Sequence, residues 1–118
     1  MYHILSKSRD NVIGIRVTGY MSAEDYDTLL PFVEKMITRY NTIRVVSDLR
    51  EFKSVSFWGT LKTLPFAFKY SSHVDRKAVI TDQSWIYTWS RVLSPFFKTD
   101  VRCFPSSQAD KAWEWIEK

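Results

Sequence analysis

The side chains best suited to chemistry are few and scattered. The chain has two histidines, His3 and His73, and one cysteine, Cys103. A zinc site needs cysteine, histidine or acidic ligands at short, regular spacings, and neither histidine stands in such a set. A lone cysteine closes no disulfide within the chain, which fits a reducing compartment. In "DVRCF" it reads as a small core residue of a strand. Asp48 and Asp82 each follow a run of strand-forming residues. Ligands of open parallel sheets bind beyond the carboxyl ends of the strands, so two carboxylates there could do acid–base work. The commoner use is to cap a helix or hold a loop, and Asp82 is placed to cap the helix that starts at Ser84. The chain contains no GxGxxG, no GxxxxGK[ST] and no GxSxG, the signals of dinucleotide, phosphate-loop and serine-hydrolase sites. No catalytic residue, metal or cofactor is expected, and the chain is read as a non-enzyme.

What stands out instead is aromatic. "FWGTLKTLPFAFKY" (57–70) and "QSWIYTWSRVLSPFFK" (83–98) each carry five aromatic residues. At about 100° per residue, Trp85, Ile86, Trp89, Val92, Leu93, Phe96 and Phe97 fall within an arc of roughly 140°. That is broad enough for one face packed on a sheet, with Tyr87 pointing away and Pro95 disturbing the last turn. The first segment is different. Phe57, Leu61, Leu64 and Phe68 make a narrow core stripe, and Trp58, Phe66 and Tyr70 lie off it among Lys62 and Lys69. Rings beside ammonium groups suit a membrane interface or a partner protein's hot spot. The plainer alternative is that another helix or a dimer mate covers them. Pro65 removes a backbone donor in mid-segment, which makes this helix the candidate for a movable lid.

These segments must be held by elements. Composition sets the frame: 118 residues, 45 % hydrophobic and 25 % charged, with three glycines and four prolines, are those of one globular domain spanning 1–118 and not of a disordered chain. The net charge of +4 is spread along the chain, with no basic run longer than the pair Arg76-Lys77, so nucleic acid is not an expected partner. "MYHILSKSRD" lacks the basic-then-apolar layout of a signal peptide, and no apolar run is long enough to cross a bilayer. The expected location is cytoplasmic, with any membrane contact peripheral at the inner face.

Strands are expected at Tyr2–Ser6, Val12–Gly19, Thr42–Leu49, Arg76–Asp82 and Asp100–Phe104, the first two as a hairpin. A helix over residues 21–40 is capped by Ser22, with Glu24 and Asp25 in its first turn. Its inner face is Tyr26, Leu29, Leu30, Val33, Met36, Ile37 and Tyr40, with Pro31 as a kink. "REFKSVS" reads as irregular. The last helix, "SSQADKAWEWIEK", is capped by Ser107 and buries Ala109, Ala112, Trp113 and Ile116. The order ββαβαβαβα implies an α/β fold: a mixed, mostly parallel sheet of four or five strands flanked by about four helices.

With this order, and with "VVSDL", "SRVLSPFFKTDVRCF" and "ADKAWEWIEK", the chain resembles the SpoIIAA-like proteins within the STAS (anti-sigma-factor antagonist) group, over nearly its whole length. The resemblance implies such a sheet and no catalytic centre. It also implies an Asp-Ser-Ser-Gly turn whose first serine is phosphorylated by a kinase partner. Set without gaps, that turn falls on Ser56-Phe57-Trp58-Gly59, where Phe57 takes the phosphoacceptor position and only Gly59 matches. Ser54 and Ser56 remain as regulatory candidates near a helix N-terminus. The SpoIIAA-like branch further resembles the CRAL-TRIO (Sec14-type) lipid carriers, which implies an apolar site opened by an outward-moving helix.

Two functions follow. In the first, the chain is a binding module for a lipid or other small apolar ligand, with transient membrane association. Trp58, Phe66, Tyr70, Trp85 and Trp89 supply apolar contact, and Lys62, Lys69 and Arg91 meet an anionic headgroup. In the second, it is a STAS-type regulator of a protein partner that docks through a loop at 50–56. Monomer and homodimer, including a swapped one, are both compatible with either.

Overall fold

The computed structural model describes residues 1–55, 65, 69–93, 95 and 98–118, with the backbone alone at 54, 55 and 93. Five strands form one sheet: β1 (Tyr2–Ile4), β2 (Val12–Met21), β3 (Ile43–Val55), β4 (Val74–Ile80) and β5 (Asp100–Phe104). They lie side by side in chain order. β1 pairs antiparallel with β2, and β2 to β5 are parallel to one another. The described α-helices are α1 (Ala23–Tyr40), α2 (Ser84–Leu93) and α3 (Ala109–Glu117). The fold is the expected α/β class with a mixed, mostly parallel sheet.

Side-chain alternation along each strand divides the core in two. Ile13, Ile15, Val17, Ile43, Val45 and Val79 point to one face, where Leu29 and Ile37 of α1 and Ile86 of α2 cover them. Val12, Val46, Ala78 and Ile80 point to the other, against Ala112, Trp113 and Ile116 of α3. So α1 and α2 lie on one side of the sheet and α3 on the other. Gly14 makes the α3 side possible, because a Cβ there would stand 2.5 Å from the Trp113 indole. Two arginines hold the end of α3. Arg44 Nη1 donates to the Ile116 carbonyl and Arg76 Nη1 to that of Trp115, each at 2.9 Å, satisfying oxygens that a helix end leaves bare.

The local signals in the sequence account for much of this. Ser22 caps α1 in a capping box with Asp25: Asp25 N donates to Ser22 Oγ at 3.1 Å, and Ser22 N donates to Asp25 Oδ2 at 2.9 Å. β5 has the expected bounds.

Three readings need correction, and a fourth lies mostly outside the described residues. "REFKSVS" is not irregular through Val55: β3 continues there because Thr18–Met21 pair with Glu51–Val55, with one register shift before Thr18 and another between Gly19 and Tyr20. Asp82 does not cap α2; its Oδ1 accepts from Ser106 N at 2.9 Å and so anchors the approach to α3. Ser107 does not cap α3, since residues Ser106–Gln108 form a 3-10 turn and the cap position falls on Gln108. The expected helix at 57–72 lies mostly outside the described residues. Pro65, Lys69 and Tyr70 are helical, and the chain then tightens into a 3-10 turn at Ser71–His73.

Candidate functional site

The expected buried face of α2 is only partly buried. Ile86 is covered, but Trp85, Trp89 and Val92 are 45 %, 57 % and 54 % exposed. They stand at i, i+4 and i+7 and so form one outward ridge. The residue expected to point away, Tyr87, is half-buried, and its hydroxyl donates to the Thr81 carbonyl at 3.0 Å. The helix is thus rotated relative to a reading that sends every apolar side chain inward. A tyrosine whose hydroxyl reaches a strand-end carbonyl can be buried with its polar group satisfied.

The base of the ridge is fixed. Trp85 Nε1 donates to Gln83 Oε1 at 2.8 Å, and Gln83 Nε2 donates to the Phe52 carbonyl at 2.8 Å. The Phe52 and Trp85 rings lie 6.0 Å apart at 42°. Trp85 therefore sits in a set orientation at the carboxyl end of β3, while Trp89 projects further. Arg91 is exposed on the same helix. Beyond α2, Thr99 Oγ1 donates to the Ser71 carbonyl at 3.1 Å, which ties the approach to β5 to the segment that carries Lys69 and Tyr70. Lys69 Nζ lies 5.2 Å from the centre of the Tyr70 ring, a cation–π contact. Tyr70 is half-buried and packs on the α1–α2 side of the core.

Trp58, Lys62, Phe66 and Ser56 lie outside the described residues. Ser54 does not belong to a loop; its backbone is part of β3, opposite Tyr20. The expected docking loop at 50–56 is therefore a strand through Val55.

Asp48 is buried at 3 % exposure and is held by arginine. Arg50 Nη2 and Nε reach its two oxygens at 2.6 and 2.9 Å, and Arg16 Nε stands at 3.5 Å. Burial alone would raise its pKa. The hydrogen bonds and charge of Arg50, with Arg16, outweigh that and hold the carboxyl below the usual aspartate range. A carboxylate kept ionised and occupied in this way is a strut between β2 and β3, not a free base. His73 is likewise engaged, its Nδ1 lying 2.8 Å from the Asn41 carbonyl. Among the described residues no three of His, Cys, Asp and Glu are grouped to hold a metal ion.

Lys77 is the group that the sequence reading passed over. It lies in β4 between Val45 of β3 and Val101 of β5. Alternation puts it on the α1–α2 side, in line with Val79. It is half-buried, and the loss of water holds its ammonium below the ordinary lysine range, with Cys103 close enough to act on it in the opposite sense. Desolvation pushes the Tyr87 phenol up, and the same cysteine and Asp82 act in the same direction. A signal was available: in "RKAVITD", strict alternation from the inward Val79 makes Lys77 an inward residue as well.

The chain matches the family model described as SpoIIAA-like over residues 12–117. No curated protein matches it. Among solved structures it is similar to an uncharacterised protein from Shewanella loihica with a SpoIIAA-like fold. The TM-score is 0.82 at 21 % identity, over 98 % of this chain and 93 % of that one. It is also similar to the anti-sigma factor antagonist SpoIIAA in its unphosphorylated form (TM-score 0.66, 8 % identity, 98 % and 100 % covered). The Bacillus cell fate determinant SpoIIAA in its phosphorylated form gives a TM-score of 0.58 at 9 % identity, over 94 % and 97 %. At these identities the likeness to each structure is one of fold.

Proposed function

The chain belongs to the SpoIIAA-like family, and on that premise we propose that it is a non-enzymatic binding module for a lipid or other apolar ligand, docking transiently on a membrane surface through α2. The observation that carries this reading is the exposed ridge of Trp85, Trp89 and Val92. Indole rings prefer the headgroup level of a bilayer, where the ring meets acyl chain and the N–H meets water or phosphate. Lys69 and Arg91 are the described cations that would meet an anionic headgroup. Tyr70 would add apolar contact, as would Trp58 and Phe66, with Lys62 adding charge.

The SpoIIAA structures belong to an anti-sigma factor antagonist, and the matching alternative here is a protein docked on the same ridge. The phosphoswitch form of that alternative is the weaker one, because Phe57 takes the phosphoacceptor position and Ser54 belongs to a strand.

Sedimentation with vesicles of mixed zwitterionic and anionic phospholipid tests the reading. Trp89→Ser with Val92→Ser should lower vesicle binding about tenfold. Tyr20→Ser, which alters an equally exposed ring on β2, should leave it unchanged. Equal binding by the ridge variant and the unaltered chain would refute the membrane role. Binding to a purified protein partner that depends on Trp89, with no vesicle binding, would move the ridge to the regulator reading.

A further inference from the structure

A lysine on the inner face of a sheet normally has an acidic partner. Lys77 has none among the described residues, and the undescribed ones contain no aspartate or glutamate. The aspartates of the parallel strands β3 to β5 and of the turn after β4 are engaged elsewhere. Asp75 is two residues along the same strand. A register shift between Ile43 and Arg44 turns it to Arg44, whose Nε and Nη2 hold it at 3.1 and 3.0 Å. Asp100 lies beside Arg102 at 3.8 Å, Asp82 takes the Ser106 amide, and Asp48 is held by Arg50. Around Lys77 on its own face stand Val45, Val79, Val101 and Cys103. The side chain nonetheless keeps part of its surface within reach of solvent.

From this geometry we infer that Lys77 is the head-group receptor of the apolar site, and that the ligand is a single-chain amphiphile ending in a carboxylate. The inference rests on the ligand-binding reading above and adds the ligand's charge. A carboxylate brought to Lys77 supplies the counter-charge that the fold leaves out. In surroundings this poor in water, such a pair is stronger than on the surface. The acyl chain meets the apolar residues of the same face. An uncharged amphiphile of equal length gains the second contribution and not the first, so discrimination between the two is the mark of this site.

The test measures binding of oleate and of oleyl alcohol to the full chain and to Lys77→Met. The methionine keeps length and apolar bulk and removes a cation that lacks a partner, so the variant should fold, and thermal unfolding checks this. The unaltered chain should prefer oleate by about tenfold or more. Lys77→Met should lose that preference through weaker oleate binding and keep its affinity for the alcohol. Sodium acetate in excess should not displace oleate, because the head group alone lacks the apolar contribution. Equal binding of oleate and alcohol by the unaltered chain, or an undiminished preference in Lys77→Met, would overturn the role of Lys77 and leave the binding module standing. Displacement of oleate by acetate would overturn the amphiphile and leave an anion site. Binding of neither probe would remove the ligand-binding reading, and this inference with it.

Discussion

At the scale of single residues, two ionisable groups contrast: one is held by arginine, and the other has no acidic partner among the described residues. Asp48 is the first. Arg50→Met would leave it buried with the backbone N–H of residue 50 at 3.2 Å and Arg16 at 3.5 Å and should destabilise the chain by about 1–3 kcal/mol. The pH dependence follows from the sign of the shift. A carboxyl whose folded pKa is lowered stabilises the folded state above the unfolded value of 3.8, and that contribution disappears as pH falls through the folded value. Chemical denaturation at a series of pH values should therefore show a full gap between the unaltered chain and Arg50→Met near neutrality. The gap should close in acid, below the lowered value. A gap that is constant with pH would mean that Arg50 contributes by packing and not by charge. The role of Asp48 was only half legible. "VVSDL" placed it after a strand, whereas it lies inside β3, and Arg16 comes to it from the neighbouring strand, a pairing that a sequence does not state. Lys77 was legible through alternation alone; its missing partner was not, because the bulge that turns Asp75 away is a property of the folded sheet.

At the scale of elements, α2 shows where amphipathic reasoning succeeds and where it stops. The wheel correctly groups Trp85, Trp89 and Val92 on one stripe, but burial does not follow from apolarity. What sets the rotation is Tyr87, whose hydroxyl needs the Thr81 carbonyl, and Gln83, which ties Trp85 to Phe52. Two substitutions on this helix should behave in opposite ways. Ile86→Ala removes a side chain 7 % exposed and should cost about 2–4 kcal/mol. Trp89→Ser alters a ring 57 % exposed and should stay within about 0.5 kcal/mol while losing vesicle binding. A large loss of stability in Trp89→Ser would show that the ridge is covered by its own chain. The capping of α1 by Ser22, by contrast, was fully legible, because a cap is local chemistry.

At the scale of the whole molecule, the sheet sets out two distinct sides. The α3 side is closed: Trp113 lies on Gly14, and Arg44 and Arg76 hold the end of the helix. The α1–α2 side carries both features without an internal explanation, the aromatic ridge outside and, within, the lysine with no acidic partner among the described residues. The order of strands and helices was legible because hydrophobic periodicity and turn residues are written along the chain. The length of β3 was not, since "REFKSVS" becomes a strand only by pairing with β2. Among the described residues no helix is long and apolar enough to cross a membrane. An apolar ligand on the α1–α2 side should travel with the protein, and native mass spectrometry of the gently purified chain, followed by solvent extraction, would reveal it. A discrete added mass that extracts as a single-chain carboxylic acid is expected. A chain that stays free of adduct, even after incubation with oleate, would contradict ligand binding on this side.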